Sequence, residues 1–249
     1  MAGNQGACRG PSIAWTAEDL RRALMRRAHF VRAGSRRRRS GGSLAHAGVS
    51  RRAIRRLGLR AAAALVRGGN PAVASTLIAR LSAGLYHDEQ ILALEVLDRL
   101  GDVWPEWAAN AAAAFSRRLR HPWIADRLAQ IQGRLLARNP ALIARHIRWA
   151  TSQNPLRRRA AALALLPYRG ARGGSRGLQA ARAVPILRLL LNDPEPHPLV
   201  QAAVGRVLAF YAVRAPRTAG RLLRDHHADL GPCHLDRARR LIESAQSAV

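Results

Sequence analysis

The sequence predicts an all-α protein, a helical-repeat solenoid of antiparallel helix pairs, and three observations carry that expectation. Apolar residues recur with the helical period in one segment after another, Pro and Gly punctuate the intervals, and no segment alternates with the two-residue period of a strand. A helix that is apolar along one side cannot bury that side alone, so helices joined by short turns must stack on their neighbours. The chain has 249 residues, 48% of them hydrophobic, which suffices for a sizeable core. The helix pairs differ in sequence, so the repeat is one of shape.

Taken in order, residues 1–14 are expected to be a disordered tail, because they are mostly small and polar and lack periodicity. Ordered structure begins at Trp15. Thr16 followed by Asp19 marks a helix start with a capping acid, and Leu20, Leu24, Ala28 and Val31 supply the apolar stripe of a helix over 17–33. Arg36 to Arg39, between Gly34 and Gly41, repel one another and have no apolar face, so 34–43 reads as a flexible Arg-rich loop able to touch phosphate. Helices are then expected over 50–66, 71–83, 88–100, 105–119 and 123–137. The series continues over 140–151, 155–166, 185–191, 197–213, 216–225 and 235–245. Pro in the first helical turn sacrifices no hydrogen bond, so Asn70-Pro71, Asn139-Pro140, Asn154-Pro155 and Ala215-Pro216 read as helix starts. The Gly/Arg stretch 170–177 (GARGGSRG) interrupts the series as a loop. Residues 15–249 are expected to form a single domain.

The charge points to a partner. Basic residues number 42 against 15 acidic, a formal charge of +27, and every basic residue is Arg. A genome rich in G and C would favour Arg over Lys, but it would not remove the carboxylates that spare a protein its self-repulsion. Guanidinium groups fork onto phosphate oxygens, so the surplus favours nucleic acid, with binding that weakens as salt rises. The apolar runs Ala61 to Val66 and Ile186 to Leu191, the latter broken by Arg188, are too short to span a bilayer. No apolar core of a signal peptide stands near Met1, and no membrane association is expected. Cys8 and Cys233 lie far apart in no ligand spacing, which suits a reducing cytoplasm.

Several motifs are weak. GARGGSRG follows no strand and lacks the Lys of a nucleotide-binding P-loop, so Arg172 and Arg176 are read as brushing phosphate from a flexible loop. His226, His227, Cys233 and His234 match no zinc spacing, and neither metal nor cofactor is expected. No His-Glu-x-x-His pair occurs in the sequence. Trp123 and Asp126 stand three apart at the start of a helix, and that spacing projects both from one face. The plain reading of the pair is a core Trp and an Asp serving the helix dipole.

A family resemblance gives the pair another meaning. Gly48-Val49-Ser50 with Arg52 and Leu57 looks like a glycine-led approach to an early helix, and His87 to Leu100 (HDEQILALEVLDRL) is a helix with an acidic start. Arg138 to Tyr168 contains Asn-Pro, Trp-Ala-x-Ser-x-Asn and Arg-Ala-Ala elements, and Leu199 to Pro216 forms a further helix. From about Ala47 to Leu241 these features resemble the DNA alkylation repair glycosylases of HEAT-like repeats, the AlkD type. The resemblance implies a HEAT-like solenoid with a concave basic face on double-stranded DNA. It also implies that Asp126 stabilises the sugar cation left by a departing alkylated purine, that Trp123 contacts the deoxyribose, and that Arg159 and Arg206 hold DNA. Arg158, Arg169 and Arg120 complete the expected DNA-binding set. The family acts on a base left in the stack, where most glycosylases flip theirs out. Here the Trp-x-x-Asp spacing is one residue shorter than the family's, and Arg206 stands where a second groove aromatic is expected.

The function implied is that of a monomeric, cytoplasmic, nucleoid-associated DNA glycosylase that hydrolyses the N-glycosidic bond of cationic N3- or N7-alkylpurines. The alternative is a non-catalytic protein of the same fold that recognises damaged, bent or branched DNA by shape and charge.

Overall fold

The computed structural model describes residues 15–29, 31–35, 45–170, 173–174, 178–193, 197–226 and 240. The fold is all-α, and its contacts divide it into two compact units, Met1–Trp107 and Ala108–Val249. The expected tail, the Arg36–Arg39 loop, Arg172, Arg176, His227, Cys233 and His234 lie outside the described residues, as does all of the last expected helix except residue 240.

The first unit opens with α1 (Ala17–Met25), whose start is the expected one: Thr16 and Asp19 form a reciprocal capping box. The helix stops well short of residue 33. His29 N–H donates to the Ala47 carbonyl at 2.9 Å, which draws the chain away from the helical path, and Val31, expected in the apolar stripe, is 68% exposed. Next come α2 (Arg51–Gly68), α3 (Pro71–Ser82) and α4 (His87–Leu100), with α2 and α3 both packed on α4. Gly48 is needed before α2, because its φ of 73° is left-handed and a Cβ there would strike the His29 carbonyl and the Ala33 backbone. Asp88, fully buried at the start of α4, accepts from Ala47 N–H at 2.9 Å and Val49 N–H at 3.2 Å. The glycine-led approach and the acidic-start helix are therefore one knot.

Helix α5 (Pro105–Ser116) crosses the boundary between the units. The second unit continues with α6 (Pro122–Arg138), a 3-10 turn (Pro140–Leu142), α7 (Ile143–Ala150), α8 (Pro155–Leu163), α9 (Ala180–Leu191), α10 (Pro198–Arg214) and α11 (Pro216–Asp225). Alternate helices stack: α6 on α8 and α8 on α10 in one layer, α7 on α9 and α9 on α11 in the other. This is the helical-repeat pattern that one-sided helices require. The core is made of Leu and Ala from both layers, with Trp149 buried between α7 and α8.

Every expected Asn-Pro start is present, and Asn70, Asn139 and Asn154 each accept a backbone N–H of the following turn. His121-Pro122 and His197-Pro198 work in the same way: the imidazole Nδ1 accepts from Trp123 N–H and from Leu199 N–H, each at 3.2 Å. Pro185 differs from expectation, since α9 begins at Ala180 and carries Pro185 inside it. At the head of GARGGSRG, Arg169–Gly170 and Gly173–Gly174 pair as a two-residue antiparallel ribbon, a detail too short to leave a period in the sequence.

Candidate active site

The layer formed by α6, α8 and α10 carries the residues singled out at the sequence level. Asp126 lies one turn into α6, whose start is fixed by Pro122 and the His121 cap. Arg159 lies in the middle of α8, held at its start by Asn154, whose Nδ2 also donates to the Leu119 carbonyl at 3.1 Å. The two side chains meet as a fork: Arg159 Nε donates to Asp126 Oδ1 at 2.7 Å and Nη2 to Oδ2 at 2.9 Å. Arg159 Nη1 donates to the Leu199 carbonyl, at the start of α10, at 2.9 Å. One guanidinium thus ties all three helices of the layer together. It is 12% exposed while the Asp126 side chain is 32% exposed, so the pair turns its carboxylate outward.

The remaining arginines divide by what they touch. Arg158 faces inward, with Nη1 donating to the Ser152 and Gln153 carbonyls at 2.8 and 3.2 Å and Nε 3.0 Å from the Asp193 carboxylate. Arg206 on α10 and Arg120 before α6 are exposed, and neither forms an ion pair with a described residue. Arg169 belongs to the short ribbon, and its side chain lies outside the described residues. Trp123 is not a core residue: it is 65% exposed at the head of α6, three residues before Asp126.

Sequence reasoning gave no role to Tyr168, which the fold brings to this site. Its hydroxyl donates to the Leu163 carbonyl at 2.8 Å, and its ring edge lies against Gly133, where a Cβ would come within 3.1 Å of Cδ2. Burial pushes its phenol up to about 12, while the charges of Arg206 and Arg159 pull the other way and Asp126 adds to the rise. Tyr168 therefore lies within electrostatic reach of all three. A signal existed: Gly133 follows Asp126 by seven residues on one face of α6, which marks where another segment crosses that face.

Among the described residues, His46, His87 and Asp88 form a group whose metal-ligating atoms come within 4.8 Å of one another. Both Asp88 oxygens accept backbone N–H groups, which joins the approach of α2 to α4. His226 ends α11.

The fold and the site define a helical-repeat protein that presents an arginine-held carboxylate beside an exposed Trp and exposed arginines. Residues 24–242 match the family model described as DNA alkylation repair enzyme, and the chain belongs to that family. No curated protein gives a significant match. Membership of the family assigns the chain a role in DNA alkylation repair, with DNA as its partner. Among the described residues, no helix is long and apolar enough to cross a membrane.

Proposed function

We propose that the protein is a DNA glycosylase that releases N3- or N7-alkylated purines from double-stranded DNA, with Asp126 as the catalytic carboxylate. Such a purine is already cationic. The bond between C1′ and the purine nitrogen breaks with its electron pair leaving on the base, which becomes neutral while the sugar becomes an oxocarbenium. A water then adds to C1′, and its proton passes to Asp126 or to solvent. The enzyme has only to place fixed negative charge beside the sugar, and preorganised charge of that kind is commonly the largest catalytic contribution.

The observation that carries this reading is the outward-facing Asp126 carboxylate held by Arg159. The fork occupies one lone pair on each oxygen, and a carboxylate has about four acceptor sites, so both oxygens can still face a sugar or a water. Arg159 acts as a positioning residue, since each of its three guanidinium nitrogens donates a hydrogen bond within the protein. Trp123 supplies a flat surface for the deoxyribose. Arg206 and Arg120 are the guanidiniums open to phosphate, while Arg158 supports the start of α8. Duplex DNA carrying N7-methylguanine, incubated with native protein and with Asp126→Asn, tests the assignment. The native protein should release free base, and the variant should be slower by about 100-fold or more, the usual cost of losing one preorganised electrostatic group.

The Arg159 fork also favours a second reading, because a guanidinium at 2.7 Å offsets much of the carboxylate charge. On that reading the protein binds damaged or bent DNA without cutting it. Tight binding to alkylated duplex with no base release by the native protein would select it.

A further inference from the structure

We infer that the first unit carries a phosphate-binding hollow of its own, formed by Arg27, Arg52, Arg56 and Arg60, and that its ligand is a backbone phosphate of DNA. Arg52, Arg56 and Arg60 follow at four-residue intervals, which places them on one face of α2. Arg27, just beyond α1, also lines the hollow, with Nη1 donating to the Ala23 carbonyl at 2.6 Å. Ser50 and Leu57 complete a hollow of about 200 Å³. That is below the roughly 300 Å³ at which small-molecule pockets begin, so it suits a single anionic group better than a whole nucleotide.

Among the described residues, nothing repays this arrangement. Like charges at four-residue spacing each weaken a helix by a few tenths of a kcal/mol. Among the described residues, no carboxylate pairs with Arg52, Arg56 or Arg60. The first turn of α2 also lacks an acidic residue, although Arg51 and Arg52 stand at its positive end. An anion from outside would relieve all of these repulsions at once. The inference rests on the reading of DNA as partner, but not on catalysis at Asp126.

Binding of undamaged duplex across a salt series separates the two. In the variant carrying Arg52→Gln, Arg56→Gln and Arg60→Gln, the slope of log affinity against log salt should flatten by about one unit for each phosphate lost. Arg67→Gln, an exposed change on the same helix outside the hollow, should leave the slope unchanged. Thermal melting of the triple variant at low salt should show equal or higher stability, which excludes loss of fold as the cause. An unchanged slope in the triple variant, or equal flattening by Arg67→Gln, would overturn the inference. So would inorganic phosphate binding that the triple change abolishes while the DNA slope stays native, since the hollow would then serve a free anion. Absence of base release by the native protein leaves this result standing and counts only against the catalytic assignment.

Discussion

At the residue scale the account turns on Arg159, because one side chain holds the carboxylate and joins three helices. A Lys at that position keeps the charge and loses the fork, so Arg159→Lys should cost about 2 kcal/mol in a denaturant titration. The value lies below that of a fully buried pair because the Asp126 side chain is 32% exposed. The same variant should lower the rate of base release more than the affinity for DNA, since Arg159 acts through Asp126. His146 offers a pH test. It is fully buried, its Nε2 donates to the Ala161 carbonyl at 3.1 Å, and burial lowers it from 6.5 to about 4. The unfolded chain takes up a proton below pH 6.5 that the folded chain refuses until about pH 4, so this contribution is complete above 6.5 and is lost as pH falls toward 4. Urea unfolding at pH 7.5 and at pH 4.5 should differ by about 2 to 3 kcal/mol more in the native protein than in His146→Gln.

At the element scale, Gly133 sets how closely α6 approaches the chain leaving α8. A Cβ there would lie 2.6 Å from the Ala164 carbonyl, and backbone cannot yield cheaply, so Gly133→Ala should lower stability by about 1 to 3 kcal/mol in thermal melts. Most helices were legible because their causes are local: a Pro in the first turn, an Asn accepting the freed N–H groups, an apolar stripe. The helix expected over 185–191 begins instead at Ala180 and runs through Pro185. Packing of Ala183 and Ile186 in the core outweighs the hydrogen bond that Pro185 forgoes. The early end of α1 depends on a hydrogen bond from His29 to Ala47, a contact across the chain that leaves no periodic trace. The candidate site was legible in its identities but not in its pairings. Asp126 and Arg159 could be named from a resemblance. Their fork, the inward turn of Arg158 and the arrival of Tyr168 all depend on which helix stacks on which.

At the scale of the whole molecule, a charge of +27 makes DNA affinity a matter of counterion release, so binding to undamaged duplex should fall steeply and linearly on logarithmic axes as salt rises. That property would belong equally to a clamp and to an enzyme. Asp126 separates the two. The most direct measurement is single-turnover release of N7-methylguanine from duplex at saturating protein, followed with native enzyme and Asp126→Asn under conditions where both bind equally. The account predicts free base and a matching abasic site from the native protein, with loss of about 100-fold or more in rate from the variant. Equal rates for the two proteins, or no release by the native protein above spontaneous depurination, would contradict it.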